Sequence, residues 1–234
     1  MSGNGDGDSG LASPVERRGL AHAVVSRRRA QVVSGLRDRA RPASAARPPA
    51  TGADERCDIC GTTVPPDHRH LLQLVERRIE CVCESCWALR SGDPEYRPTG
   101  SRVVWLPQVD LPDDLWATFQ IPIGLAFFMD STTAGCVVAL YPSPGGATES
   151  ELHFSSWSRM VELNPALAGL EPDIEALIVN RLSDPPAYVI APIDRCYALT
   201  GTIKASWEGL SGGARLQDAV AAFFEHLRED ASAA

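Results

Sequence analysis

Five of the chain's seven cysteines fall within thirty residues: Cys57-x2-Cys60, then Cys81-x-Cys83-x2-Cys86. A CxxC pair closes a tight turn whose backbone amides point at the sulfurs, so two thiolates can share one tetrahedral ion. Two such knuckles supply four ligands, and Cys57, Cys60, Cys83 and Cys86 form the expected metal set. Zinc is favoured, because thiolates select it and its d10 ion carries no redox chemistry. Iron in a rubredoxin-like site, or an Fe–S cluster, is the rival. Cys81 is either a spare thiol beside the ion or a replacement for Cys83, since positions i and i+2 of a strand share a face. His68 and His70 lie between the knuckles and read first as solvent-exposed loop residues.

These ligands need elements to position them. His70–Val75 and Arg78–Val82 can pair as a short hairpin between the knuckles, the order of a zinc ribbon. A module under forty residues cannot build its own core and relies on a metal to fold. Residues 54–90 are therefore read as a zinc-ribbon-like module. Residues 1–53 are read as a disordered Arg-rich tail and linker, and residues 91–234 as an α+β domain. In that domain Ile121–Met129 and Cys136–Tyr141 are apolar runs separated by turn residues, and they predict a central antiparallel hairpin that ends at Tyr141–Gly146. A short strand is expected at Arg102–Leu106 and another at Tyr188–Ile193. Helices are expected at Ser155–Leu163, from Pro172 to Leu182, from Arg195 to Trp207 with Asp194 as cap, and at Arg215–Glu229. Leu216, Val220, Phe223, Phe224 and Leu227 form the buried stripe of the last helix.

Charge narrows the partners. The 234 residues carry 22 Lys and Arg against 30 Asp and Glu, a formal net charge of −8. Residues 1–50 hold nine Arg against four acids, so the body is more acidic than the total suggests. A basic arm on an acidic body argues against nucleic-acid binding by the body. No apolar run approaches the ~18–20 residues that span a bilayer, and no secretory leader is recognisable, so a cytoplasmic protein is expected. Seven cysteines there point to metal or chance before disulfides.

The remaining chemistry is sparse. Cys136, read as mid-strand, and Cys196, on a helix, are read as small buried thiols. His153 and His226 are the only bases in the body, and no spacing brings either to a cysteine. Paired carboxylates and a phosphate-binding Gly loop are absent from the pattern. Of the five Trp, most are read as core, and Trp207 as an anchor for a partner-facing loop.

The phrases Cys57-Asp-Ile-Cys60-Gly, Pro65-Pro66-Asp-His68-Arg-His70, Cys81-Val-Cys83-Glu-Ser-Cys86, Phe119-Gln-Ile-Pro-Ile-Gly124, Val138-Ala-Leu-Tyr141-Pro-Ser-Pro144-Gly145, Leu170-Glu-Pro172-Asp173, Pro192-Ile-Asp194-Arg-Cys196-Tyr197 and Trp207-Glu-Gly209 resemble the uncharacterised actinobacterial family DUF5947. The resemblance covers about residues 54–228. Members of that family tend to be encoded among [NiFe]-hydrogenase structural and maturation genes. The resemblance implies a non-catalytic accessory or assembly role with a protein partner, a hydrogenase or its maturation machinery. It supplies no catalytic residues. An electron carrier with iron at the thiolates, or a Cys-dependent enzyme, is the alternative.

Overall fold

The computed structural model describes residues 55–150, 152–208 and 212–233. The expected tail and linker at residues 1–53 lie outside the described residues, as does most of the loop after Trp207. The fold is α+β, with two antiparallel sheets.

The small sheet has the order β2-β1-β3, from β1 (Arg69–Gln73), β2 (Arg78–Val82) and β3 (Tyr96–Pro98). The hairpin between the knuckles is present, and a third strand from beyond residue 90 pairs with β1. Helix α1 (Glu84–Arg90) follows β2 directly. Strand alternation gives the hairpin two different faces. Leu71 and Val82 are buried with Cys57, Val64 and Cys86. Leu72 of the opposite face is buried in the core of the larger sheet, with Ile79 packed beside it.

The large sheet has the order β4-β9-β8-β5-β6-β7. Its strands are β4 (Val104–Trp105), β5 (Leu125–Ser131), β6 (Cys136–Ser143), β7 (Gly146–Ser150), β8 (Glu175–Asn180) and β9 (Ala187–Pro192). Helices cover both faces. Leu125, Phe127 and Met129 pack with α4 (Ile193–Ser206) and α5 (Gly213–Ala233). Ala126 and Phe128 pack with α2 (Asp113–Thr118) and α3 (Phe154–Leu163). Two-sided burial explains why β5 is apolar at consecutive positions instead of alternating. The expected pairing of β5 with β6 is found, with Phe128 opposite Ala139. Val220, Phe224 and Leu227 of α5 are buried, and Leu216 and Phe223 pack partly against the same core.

Several expectations are corrected. The segment from Pro172 to Leu182 is not a helix but contains β8, buried at all six positions and set between β5 and β9. Ala-Leu-Ile-Val is a short apolar run without helical amphipathicity, and such a run fits a central strand as well as a helix. Its Pro172-Asp173 start makes a turn, with Asp173 at φ 62° and its carboxylate accepting hydrogen bonds from the Thr132 amide and hydroxyl. The β5–β6 hairpin ends as expected, with β6 stopping at Ser143, but the sheet continues into an unforeseen strand. Gly146, at φ 118°, turns the chain back into β7. Strand β5 starts at Leu125 and not at Ile121, and the short helix α2 was not foreseen. Asp194 is not the cap of α4; Pro192 holds that place and Asp194 sits in the first turn. Among the described residues, no helix is long and apolar enough to cross a membrane.

Candidate metal centre

The first knuckle is a turn at Asp58–Cys60, closed by Gly61 N–H on the Cys57 carbonyl at 2.8 Å. Gly61 takes φ 76°, a left-handed conformation that a side chain would strain. The knuckle is fixed to β2 at both ends of one residue. Asp58 N–H donates to the Cys81 carbonyl at 2.8 Å, and Asp58 Oδ2 accepts from the Cys81 amide at 2.7 Å. The second knuckle starts where β2 stops. Cys83 is the residue before α1, and Cys86 lies in the helix's first turn.

The two knuckles bring the ligand atoms of Cys57, Cys60, Cys83 and Cys86 within 4.8 Å of one another. Cys60 Sγ and Cys83 Sγ are 3.7 Å apart. Cys57 and Cys86 are buried, whereas Cys60 is exposed. Burial opposes ionisation of Cys57, but amides of Cys83, Cys60 and Ile59 aim at its sulfur and bring its pKa down to about 6. Cys86 moves the other way. Burial first, then the neighbouring thiols Cys60, Cys83 and Cys57, push it up to about 12. Four thiols in this space cannot all ionise unaided, and a divalent cation at their centre removes that conflict. The donor set fits a tetrahedral, thiolate-loving ion, and zinc and iron both meet that description.

Cys81 is not a fifth member of this group. The i, i+2 rule that placed it beside Cys83 fails because the strand ends at Val82. Cys81 instead stands opposite His70 in the register of β1 and β2. It forms a second group with His68 and His70, whose ligand atoms also lie within 4.8 Å of one another. Neither histidine is a solvent-exposed loop residue. The His68 side chain is 5% exposed, and His70 is a β1 residue with a 28% exposed side chain. His70 Nδ1 is 2.9 Å from Asp194 Oδ2. Asp194 first, and Cys81 after it, raise the His70 pKa to about 9 against the effect of burial. Sequence reasoning missed this group as a unit, and it read Asp194 only as a helix cap. The available signal was His68-x-His70, two imidazoles at strand spacing.

The remaining cysteines separate. Cys196 is fully buried in α4; its Sγ faces the Pro192 carbonyl at 3.8 Å, and burial raises its pKa well above that of a free thiol. It is the inert core thiol expected. Cys136 is not buried at mid-strand; it is the exposed first residue of β6. All five Trp pack partly against one of the three cores.

The model of a family of unknown function, DUF5947, matches residues 56–231. The chain belongs to that family. Both cysteine knuckles, His68, His70 and Asp194 lie inside the matched segment of this DUF5947 protein. No curated protein and no solved structure matches the chain.

Proposed function

We propose that this DUF5947 protein is a non-catalytic accessory or assembly factor for a [NiFe]-hydrogenase, and that its four-cysteine cluster is a structural zinc site. The observation that carries the structural half is the closed ligand set: four sulfurs within 4.8 Å, from two knuckles on either side of one hairpin. Four protein ligands fill a tetrahedral zinc and leave it no position for substrate. The ion would then hold a small core, Cys57, Val64, Leu71, Val82 and Cys86, that is too limited to order itself. The module also presents apolar side chains outward: Ile59 in the first knuckle, Val75 in the hairpin turn and Leu89 on α1 are exposed. Such side chains suit a protein partner.

The hydrogenase half rests on the resemblance alone, which implies genes placed among those of [NiFe]-hydrogenases. A deletion strain complemented with variants tests it. Hydrogen uptake should fall in the deletion strain, return with the wild-type gene and with Cys196→Ala, and stay low with Cys60→Ser. Unchanged uptake in the deletion strain, under conditions where the hydrogenase is expressed, would refute the proposal.

A further inference from the structure

The hairpin face turned away from the four cysteines carries a second set of ligands. His70 and Cys81 are cross-strand partners in β1 and β2, and His68 enters from the residue before β1. The His68 and His70 rings meet edge to face with centroids 4.7 Å apart. Three donors from a hairpin and its leading loop thus converge on one point.

Each imidazole is held by its Nδ1. His68 Nδ1 is 2.8 Å from the Pro65 carbonyl oxygen, and Glu55 Oε2 lies 3.6 Å from the same nitrogen. Both described neighbours of that nitrogen are acceptors, so it carries the proton and Nε2 keeps a free lone pair. Among the described residues, the buried His68 Nε2 has no hydrogen-bond partner. A buried, unpaired acceptor is destabilising, so its retention calls for a reason. His70 Nδ1 is likewise committed to Asp194 Oδ2 at 2.9 Å, and that carboxylate is 16% exposed. A carboxylate on the far nitrogen of an imidazole is the standard means of orienting a metal-binding histidine.

We infer that His68 Nε2, His70 Nε2 and Cys81 Sγ form a second metal site, separate from the four-cysteine cluster, with Asp194 as its positioning residue. Two imidazoles and one thiolate suit a borderline divalent ion, zinc above all. Three protein ligands leave a tetrahedral ion one position short. A cleft beside the two histidines is the route to that position. His68, His70 and Asp194 line a cleft of about 540 Å³ whose other walls include Ser101, Arg195 and Asp230. The fourth ligand is water or a small anion admitted through this cleft. The inference goes beyond the accessory role and does not rest on it. The first group offers four protein ligands, whereas the second offers three beside a cleft.

The test uses the full chain, equilibrated with excess zinc and desalted. Elemental analysis should find two zinc ions per wild-type chain and one each in Cys81→Ser and His68→Gln. One zinc in the wild type, or two in both variants, overturns the inference. Cobalt exchanged into the wild type removes dependence on variant folding. Azide should shift the bands of a cobalt with weak thiolate charge transfer and leave those of the four-thiolate cobalt unchanged. No azide response overturns the open position. Asp194→Asn should weaken zinc binding at this site about 10–100-fold while leaving saturation stoichiometry intact. Unchanged affinity would mean that Asp194 only pairs with His70 and positions no ligand.

Discussion

His70 and Asp194 are 124 residues apart in sequence and 2.9 Å apart in space. Their contact ties the small sheet to the first turn of α4, and so to the six-stranded sheet. It works with Leu72 and Leu74, which leave the hairpin to join the larger core. The cysteine-bearing hairpin is therefore built into the body on one face and carries the four-thiol cluster on the other.

The first prediction concerns this tie. Asp194→Ala removes a partly buried, charge-assisted hydrogen bond and leaves the His70 imidazole without its partner. A loss of about 1–2 kcal/mol is expected at pH 6, after allowance for the quarter of the imidazole that reaches solvent. Urea denaturation of the wild type and the variant measures it. Equal midpoints and slopes would show that the pair contributes nothing.

The second concerns acid stability. Glu175 opens β8 and is 3% exposed. Its two oxygens accept from Arg102 Nε at 2.6 Å and Arg102 Nη2 at 2.5 Å, and the Glu171 amide adds a bond at 3.1 Å. Burial opposes its charge, but Arg102 and the Glu171 amide outweigh it and hold the pKa below the ordinary carboxylate value. A lowered folded pKa gives stability that is present above the unfolded pKa, about 4.3, and is lost as pH falls through the folded value. Arg102→Ala should cost about 2–3 kcal/mol at pH 7, moderated because half of the Arg102 side chain meets solvent. The gap to the wild type should close on acidification. A gap that stays constant from pH 7 to pH 3 would contradict this account.

The third concerns the core. The Phe128 ring stacks on Trp157 at 5.6 Å and meets Phe119 edge to face at 5.0 Å. Phe128→Ala should cost about 3–5 kcal/mol, whereas Cys196→Ala should cost no more than about 1–2 kcal/mol and release no metal. Thermal unfolding with metal analysis on the same samples separates the two. Metal loss from Cys196→Ala would place that thiol in a role its burial does not allow.

The sequence made the four-cysteine cluster legible because its ligands come in two local pairs, and CxxC geometry is set by the few residues around it. The β5–β6 hairpin was legible for a similar reason: two apolar runs flank one turn. The second ligand group was hidden by register. A two-residue turn at Glu76–Arg77 would set His70 opposite Cys83. The four-residue turn at Leu74–Arg77 sets it opposite Cys81 instead. Asp194 was hidden more deeply, since only tertiary packing brings α4 to β1. Strand β8 was misread because its burial on both faces erases the period that separates strand from helix, and Pro172 then favoured the helix.

The most direct measurement is zinc content in a Cys81→Ser background, where only the four-cysteine site can hold the ion. Protein purified without added metal should carry one zinc per chain, and adding Cys57→Ser with Cys60→Ser should reduce it to none and unfold the small sheet. No metal in the Cys81→Ser protein, or full retention after the two knuckle substitutions, would contradict the structural zinc site.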